Sequence, residues 1–441
     1  MELRDYQVEA LDTMLREGRT IYADPPGTGK TATTLNWIDA AGAGRTLIVA
    51  PLSVLYHWQR QGETWVPGRQ AAVCHGAAER RLSALQAVQD GSASTLVINY
   101  DNLDREITAL VDTRFDTVVF DEAHRLKNRS ALVHKAAVKL TRRAERVAMV
   151  TGTPLLNSAE ELWAILHLLW PKTYTSFWRW AAEHFEITVE TYKMRQVRLV
   201  GELKDGHATI LRAQLGDSLI RRDIDLGLPP VVETTLVVEL SPKEREAYST
   251  MMEKFWMRVG GEIVQAPNAV SKIVRMRQLA SGTFDDMEDP GAGVYRTKIK
   301  AAADLVKDLA PEQVVILCAF KATVYALAEA VGGAAYTGDQ GADERTDIEK
   351  RFTSGELGVI VATHGALREG VDGLQVARNM IQLDLDWTPG LNEQAVARLH
   401  RSGQRRTVNV WRIIAKDTVD DDKIIPTLAR KEAVISAVLD A

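Results

Sequence analysis

The sequence predicts an α/β protein that contains two doubly wound parallel sheets. Short apolar runs rich in β-branched residues recur along the chain, and each is followed by a turn and a helical pattern. Such nearly continuous apolar runs are typical of parallel strands that are buried on both faces. The runs form two series, and 441 residues are enough for two domains that each bury a core. Two strand–helix series therefore indicate two α/β domains.

Nine strands can be placed in this way. The first series predicts strands at 20–23, 46–51, 95–100, 117–124 and 147–154. The second series predicts strands at 314–320, 358–366, 379–386 and 407–414. Between the two series the pattern is helical and rich in Trp, Arg and Lys, apart from one extended crossing at 226–240 that Pro229 and Pro230 stiffen.

The domain boundary is expected near residue 226. The first domain would comprise residues 1–225, with a helical insertion at about 158–222. The second domain would comprise residues 226–441, with a helical insertion at about 241–300 and a C-terminal brace-like segment at about 415–441.

Composition argues against several classes of protein. The 54 Lys and Arg residues nearly balance the 59 Asp and Glu residues, and the net charge of −5 does not suit a generally basic coat protein for nucleic acid. No segment approaches the ~20 apolar residues of a membrane-spanning helix, and the first ten residues lack the apolar core of a signal peptide. Cys74 and Cys318 lie in apolar contexts without metal-ligand spacing, so we expect free core thiols. We expect a monomer without membrane contact, in the cytoplasm of a bacterium or of a virus-infected host, free or associated with the nucleoid.

The strongest local signal is the segment DPPGTGKT at 24–31, which follows the first predicted strand and precedes a helical pattern. A loop in this place can cradle phosphates, because glycines let backbone N–H groups approach and the helix N-terminus adds a positive field. The residues that would bind the nucleotide are Gly27, Thr28, Gly29, Lys30 and Thr31. In this pattern the lysine reaches the β- and γ-phosphates and the threonine ligates Mg²⁺. The strict pattern has glycine where this chain has Asp24.

Two carboxylates follow the fourth predicted strand. Asp121 at the strand tip is placed to hold Mg²⁺ through water, and Glu122 is placed to orient or activate an attacking water. A phosphate loop followed by such a strand end predicts a Mg²⁺-dependent nucleoside triphosphatase.

Longer motifs reveal a family resemblance. The segments LRDYQ (3–7), DEAHRLKN (121–128) and TGTPLLNS (151–158) look like the ordered motifs of superfamily 2 helicases. The segment DLDWTPGLNEQAVARLHRSGQ (384–404) is close to the signature of the SWI/SNF-type family of ATP-dependent double-stranded DNA translocases. The resemblance extends from residue 3 to about residue 424 in motif order, and it implies a minimal motor core of two RecA-like lobes.

The resemblance implies roles for residues in both lobes. Arg4 and Gln7 would recognise adenine, which favours ATP as the nucleotide. Gln394, Arg398 and Arg401 would face the γ-phosphate, with both arginines as candidate arginine fingers. Their spacing of i, i+4 and i+7 independently predicts one shared helical face. The candidates for contacting nucleic acid or for coupling it to the nucleotide site are Lys127, Asn128, Thr151, Thr153, Lys321 and Thr363.

Positive charge is concentrated in two stretches near these motifs. Residues 125–146 contain eight Lys or Arg and one acid, and residues 394–412 contain five Arg and no acid. Clustered basic residues beside a nucleotide site indicate a groove that contacts the phosphate backbone without reading sequence. Together with this groove, the resemblance to double-stranded DNA translocases implies duplex or branched DNA as the partner, and a protein partner could supply targeting.

The segment 161–180 contains four of the ten tryptophans. A stacking platform for unpaired bases is one interpretation. However, its Leu and Ile residues repeat at helical spacing, which favours core packing of an inserted helical subdomain.

These features predict a motor that hydrolyses ATP between two lobes, moves along the DNA backbone and remodels DNA or bound proteins. Two segments depart from the family pattern. The family usually has D-E-M-G-L-G-K-T at the phosphate loop, and HGALREGVDGL at 364–374 is closer to the G-x-D form of strand-separating helicases. A strand-separating helicase on DNA or RNA is therefore the main alternative. A nucleotide-switched binding module without motor activity and a phosphate-loop ATPase unrelated to nucleic acid are the others.

Overall fold

The computed structural model describes residues 2–440 except 193–194, 255, 260–261, 266–268, 283–295, 369–370 and 372. The chain divides into two compact units. The first unit contains Met1–Asp225 and Glu432–Ala441, and the second contains Leu226–Lys431.

The first unit is built on a parallel sheet. Its strands are β1 (Arg19–Tyr22), β2 (Thr46–Ala50), β3 (Ala71–Cys74), β4 (Thr95–Asn99), β5 (Thr117–Asp121), β6 (Arg146–Val150), β7 (Phe185–Tyr192), β8 (Arg195–Leu203) and β9 (Leu219–Ile220). Seven strands form the sheet in the order β3-β4-β2-β5-β6-β1-β9, and all of its pairings are parallel. Strands β7 and β8 form a separate antiparallel hairpin.

Helices surround this sheet. They are α1 (Asp5–Glu17), α2 (Lys30–Ala40), α3 (Leu55–Trp65), α4 (Ala78–Gln89), α5 (Tyr100–Leu103), α6 (Ile107–Thr113), α7 (Leu132–Thr141), α8 (Leu162–Leu169), α9 (Phe177–His184) and α10 (His207–Leu215). Strand β2 shows why both faces are covered. Leu47 and Val49 belong to one hydrophobic cluster and Ile48 to another, because successive side chains of a strand point to opposite faces.

The second unit repeats this architecture. Its strands are β10 (Val231–Val238), β11 (Trp256–Val259), β12 (Glu262–Gln265), β13 (Val314–Cys318), β14 (Ala334–Tyr336), β15 (Val359–Thr363), β16 (Asn379–Gln382) and β17 (Val408–Ala415). Its helices are α11 (Pro242–Lys254), α12 (Ala269–Ser281), α13 (Thr297–Leu309), α14 (Lys321–Val331), α15 (Ala342–Thr353), α16 (His364–Arg368), α17 (Pro389–Val396) and the part of α18 (Ile425–Leu439) that precedes Glu432. The parallel sheet has the order β10-β17-β16-β13-β15-β14, and β11 pairs with β12 as an antiparallel hairpin.

The predicted α/β class with two parallel sheets is confirmed, and all nine predicted strands are present. Sequence patterns did not predict β3, β9 and β14, because all three strands are short. Strand β3 also consists mostly of small residues. The predicted crossing at 226–240 contains β10, an edge strand parallel to β17.

The two insertions that the sequence predicts to be helical also contain β-strands. The first contains the β7–β8 hairpin, in which Ile187 and Val189 alternate with polar residues at the period of a strand. The second contains the β11–β12 hairpin, and part of its predicted range lies outside the described residues. The brace-like segment is also divided, because α18 from Glu432 onward belongs to the first unit and buries Val438 and Leu439 in its core.

Burial supports two further predictions. Trp163, Phe177 and Trp180 are buried in the larger core cluster of the first unit, so these aromatic residues of segment 161–180 are packed as core. Both cysteines are buried free thiols. Within the described residues, no helix combines the length and apolar character needed to cross a membrane.

Candidate functional site

The loop between β1 and α2 has the geometry of a phosphate cradle. Gly27 and Gly29 have φ angles of 84° and 76°, in the left-handed region that favours glycine. A Cβ at Gly29 would lie 2.5 Å from the Gln7 side-chain nitrogen, so a larger residue would collide there. Helix α2 begins at Lys30, and its N-terminal end therefore follows directly after the glycines.

Lys30 is held across this loop. Its Nζ donates hydrogen bonds to the carbonyl oxygens of Asp24, at 2.8 Å, and Pro25, at 2.9 Å. Burial lowers the pKa of Lys30, and the negative charges of Glu122, Asp121 and Asp24 oppose that shift. The structure thus brings the lysine into the field of the two predicted catalytic carboxylates.

The N-terminal helix is fixed to the same loop through Gln7. Its Nε2 donates to the carbonyl of Thr28 at 3.0 Å, and its Oε1 accepts from the backbone N–H of Arg4 at 2.9 Å. The Tyr6 hydroxyl also donates to the Thr28 carbonyl, at 3.1 Å. Gln7 and Arg4 therefore lie beside the phosphate loop, and their role in recognising adenine stays a prediction.

Asp121 is oriented from three sides at the end of β5. The indole Nε1 of Trp58 donates to its Oδ2 at 2.8 Å, and the backbone N–H of Glu122 donates to its Oδ1 at 3.0 Å. The Tyr100 hydroxyl donates to its carbonyl oxygen at 2.5 Å. Burial and the neighbouring charge of Glu122 raise the pKa of Asp121 to about 7, against the hydrogen bond from Trp58 and the charge of Lys30.

Glu122 is connected to the TGTP segment through a histidine. The backbone of Glu122 has a φ of 51°, in the left-handed region that costs free energy for a residue other than glycine. His124 Nδ1 lies 3.2 Å from Glu122 Oε2 and 3.3 Å from Thr151 Oγ1. Thr151 Oγ1 also accepts from the backbone N–H of Thr153 at 3.2 Å. Thr151 therefore lies next to His124 and Thr153 next to Thr151, so both predicted coupling threonines belong to a chain of contacts that starts at the Glu122 carboxylate.

The oxygen donors at this site fit Mg²⁺. Thr31 offers a hydroxyl and Asp121 a carboxylate, which are the hard ligands that Mg²⁺ takes together with phosphates and water. Burial and then the charge of Glu122 raise the pKa of Asp121, and a bound cation would offset both effects by stabilising the charged carboxylate.

Two other residues that are predicted to contact nucleic acid form contacts within the protein. Lys127 Nζ lies 2.8 Å from Glu161 Oε1, and the other oxygen of Glu161 accepts from the backbone N–H groups of Leu156 and Asn157. Asn128 accepts from the backbone and hydroxyl of Ser130 in a local turn.

Two further candidates lie in the second unit. Lys321, the first residue of α14, forms an ion pair with Asp339. Thr363 ends β15, and its hydroxyl accepts from the backbone N–H of Ala366 at 3.3 Å. Neither contact tests a role in binding nucleic acid.

The second unit brings Gln394 and Arg398 to one small cavity, which they line together with His364, Leu367, Leu391 and Ala395. However, the predicted single helical face does not extend to Arg401. Helix α17 ends at Val396, and the backbone N–H of Arg398 then bonds to the Ala395 carbonyl in a tighter turn. That prediction was wrong because regular spacing in sequence does not reveal where the helical hydrogen-bond pattern ends.

Comparison with known proteins identifies the family. Residues 6–283 match the SNF2-related domain, and residues 297–403 match the helicase conserved C-terminal domain. The chain belongs to the SNF2-related domain family. This membership confirms the resemblance that the sequence motifs predicted.

Relatives match this SNF2-related chain over nearly its whole length. The ISWI chromatin-remodeling complex ATPase ISW2 of Saccharomyces cerevisiae is 26% identical over an alignment that covers 98% of this chain, and the chromodomain-helicase-DNA-binding protein 1 of Gallus gallus is 25% identical over 99%. The alignments cover only 40% and 26% of those two relatives. A solved structure titled Sulfolobus solfataricus SWI2/SNF2 ATPase core in complex with dsDNA is 22% identical with a TM-score of 0.44, and the match covers 100% of this chain and 93% of that chain.

Sequence reasoning missed several residues that shape the SNF2-related site. Trp58 and Tyr100 fix Asp121, His124 joins Glu122 to Thr151, and Arg222 pairs with Asp24 at the start of the phosphate loop. His124 could have been found, because it belongs to the quoted DEAH motif. The others are distant in sequence from the atoms that they contact, and no local pattern marks them.

Proposed function

We propose that this chain is an ATP-dependent DNA translocase, which hydrolyses ATP and moves along the DNA backbone without sequence specificity. One observation carries the proposal: Lys30, at the start of α2, lies in the electrostatic field of Asp121 and Glu122 at the end of β5, within an SNF2-related domain. Relatives named as chromatin-remodeling and DNA-binding proteins support DNA as the nucleic acid along which the protein moves.

The residues of the first unit suit phosphoryl transfer to water. Lys30 would exchange its loop carbonyl partners for the β- and γ-phosphate oxygens of ATP. Glu122 would orient a water and accept its proton, while the water oxygen bonds to the γ-phosphorus and the bond to the ADP oxygen breaks. Mg²⁺, held through Thr31 and Asp121, would neutralise charge on the phosphates.

Residues of the second unit complete the proposal. The motif resemblance assigns Gln394, Arg398 and Arg401 to the γ-phosphate, and an arginine in that role accelerates hydrolysis by roughly 10³–10⁵. We propose that their approach to bound ATP, and their withdrawal after hydrolysis, drives alternating grip on the DNA backbone.

His124 offers a path from chemistry to DNA. It lies within 3.3 Å of both Glu122 and Thr151. A movement of the Glu122 carboxylate on hydrolysis would therefore displace His124 and, through it, Thr151 at the start of the TGTP segment. We propose that this contact links the nucleotide site to the surface that holds DNA.

The test measures ATP turnover with no nucleic acid and with duplex, forked or single-stranded DNA, or RNA. Duplex or forked DNA is expected to stimulate turnover, and displacement of a triplex-forming strand is expected to report movement.

Lys30→Ala is expected to lose ATP binding, whereas Glu122→Gln should bind ATP without hydrolysing it. Lys350→Ala and Glu329→Gln, which alter exposed residues of the second unit, are matched controls. Normal turnover in Glu122→Gln would overturn the proposed hydrolytic site, and stimulation by RNA alone would overturn the DNA assignment.

A strand-separating helicase is the second candidate, and the β7–β8 hairpin favours it. Thr188, Val189, Val197, Arg198 and Leu199 are all exposed, so this part of the hairpin lies outside the cores. An exposed hairpin could serve as a wedge between the two strands of a nucleic-acid duplex. Unwinding of a forked duplex by the intact chain, lost when Val189 and Leu199 are both changed to Ser, would establish this candidate. Translocation without unwinding would exclude it.

A further inference from the structure

We propose that Trp58 is a positioning residue of the hydrolytic site, which holds the Asp121 carboxylate in the orientation that a divalent cation requires. The inference rests on the proposed function, because it assigns a role within the same nucleotide site. It concerns a residue of α3, which is separate in sequence from both the phosphate loop and the DEAH segment.

The indole of Trp58 is fixed by burial. The residue is 1% exposed and belongs to the hydrophobic cluster that also contains Leu55, Val97 and Val119. A large ring enclosed in a close-packed core has little freedom to rotate. Its Nε1 therefore points in one direction, and in that direction lies Asp121 Oδ2 at 2.8 Å.

The second carboxylate oxygen is held from another side. Asp121 Oδ1 accepts from the backbone N–H of Glu122, and the Asp121 carbonyl accepts from Tyr100. A carboxylate oxygen can accept more than one bond, so each oxygen keeps a lone pair for a further ligand. The result is a carboxylate with a fixed plane that can still bind a cation directly or through water.

The chemical identity of the donor matters. The indole N–H donates but cannot accept, and it carries no charge. A lysine or arginine in its place would pair with the carboxylate and compete with a cation for its charge. An indole orients the ligand while it leaves the negative charge available, which is the usual task of an outer-shell partner at a metal site.

The chain contains a matched control for this contact. Trp37 on α2 is 0% exposed and lies in the same hydrophobic cluster as Trp58. Its Nε1 is buried and has no hydrogen-bond partner among the described residues. Trp37→Phe and Trp58→Phe both reduce a buried ring by a similar volume, but only Trp58→Phe removes a hydrogen bond to Asp121.

The test uses the full chain in the Glu122→Gln background, so that metal binding is read without turnover. Electron paramagnetic resonance measures the affinity for Mn²⁺ in the presence of ADP, and a fluorescent ADP analogue in EDTA measures binding of nucleotide without metal. Trp58→Phe is expected to weaken Mn²⁺ binding about tenfold and to leave metal-free nucleotide binding unchanged. Trp37→Phe is expected to match the parent protein in both measurements.

A second measurement uses Glu122 intact. The Mg²⁺ concentration for half-maximal ATP turnover should rise about tenfold in Trp58→Phe, and excess Mg²⁺ should restore part of kcat. If Trp58→Phe does not fold, benzothienylalanine at position 58 removes the N–H but keeps the bicyclic shape. Equal Mn²⁺ affinities in the position-58 and Trp37→Phe proteins would overturn the positioning role. Absence of ATP turnover in the unaltered chain would instead count against the proposed function, and the Mn²⁺ comparison would still decide the role of Trp58.

Discussion

Arg222 anchors the start of the phosphate loop by pairing with Asp24. The guanidinium contacts both oxygens of this fully buried carboxylate, and the backbone N–H of Arg222 donates to Oδ1 at 3.1 Å. Strand β9 brings the two residues together, because the Ile220 carbonyl accepts a hydrogen bond from the backbone N–H of Ala23 at 2.7 Å. The carbonyl of the same Asp24 holds Lys30. Asp24 therefore joins the end of the first unit's sheet to Lys30.

Removal of this arginine should destabilise the first unit strongly. Arg222→Ala leaves a carboxylate in the interior without its cation, a change that typically costs about 3–5 kcal/mol. The double variant Asp24→Asn with Arg222→Ala should recover part of this loss, since no buried charge then remains. Urea unfolding monitored by tryptophan fluorescence measures the change. Arg16→Ala, which breaks an exposed pair, is the control and should cost less than about 1 kcal/mol. Equal effects of Arg16→Ala and Arg222→Ala would contradict the prediction.

A buried lysine organises the second unit. Lys298 is 0% exposed, and its Nζ lies 3.2 Å from Asp384 Oδ1 and 2.8 Å from Asp420 Oδ2. Burial alone would lower the pKa of Lys298, but its two carboxylate partners raise it overall. Burial alone would raise the pKa of Asp384, but Lys298 and hydrogen bonds from Ala319 and Ser281 lower it overall. The Asp384 contribution to stability is therefore present above its ordinary pKa of 3.8 and is lost as the pH falls through the lowered value.

Lys298→Met should reverse this pH dependence. Without the ammonium, the buried carboxylates repel each other and at least one acquires a raised pKa, so stability should decrease as the pH rises from 5 to 8. The loss at neutral pH should be about 3–5 kcal/mol. Thermal unfolding at several pH values measures both effects. Lys307→Met on the same helix alters a side chain that is 73% exposed and should leave the pH profile unchanged. A parallel profile for both variants would exclude the proposed role of the buried charge.

How much of this could be predicted depends on whether the chemistry is local in sequence. Lys30 and Asp121 were predictable, because each belongs to a short continuous segment of the sequence. A glycine-rich loop after a strand is typical of a phosphate site, and acids at a strand end are typical of a Mg²⁺ site. The Trp58–Asp121 and Arg222–Asp24 contacts span 63 and 198 residues, and only the folded sheet brings them together. Strand order alone does not fix which side chain on a neighbouring helix reaches a strand end.

The fold followed the same rule. Buried parallel strands were predictable from apolar runs, whereas the β7–β8 hairpin is largely exposed and lacks such a run. The end of α17 before Arg398 could not be predicted either, because residues 395–399 have no glycine or proline to signal it.

His167 should make the first unit sensitive to acid. Neither ring nitrogen has a hydrogen-bond partner among the described residues, and burial, followed by the charges of His134 and Arg142, lowers the pKa of His167 to about 4. Because this pKa lies below the ordinary 6.5, stability should be full above pH 6.5 and should fall as the pH drops toward 4. His167→Leu should remove about 1–3 kcal/mol of this acid-dependent loss. Unfolding free energies at pH 7 and pH 5 provide the measurement, with the exposed His57→Leu as control. An unchanged difference between the two pH values in His167→Leu would refute the prediction.

The basic face of α7 provides a test of the proposed DNA track. Lys135 and Lys139 are exposed and one helical turn apart, while Ala137 and Leu140 on the same helix are buried in the core. If these lysines contact DNA phosphates, changing both to Ala should lower the affinity equally for duplexes of different sequence. The slope of log affinity against log salt should become shallower by about 0.9 for each lost contact. Fluorescence anisotropy of labelled duplexes across a series of KCl concentrations measures both quantities, with Lys307→Ala as the exposed control. A double variant with an unchanged salt slope would place the DNA elsewhere, since counterion release depends only on the phosphates that the protein contacts.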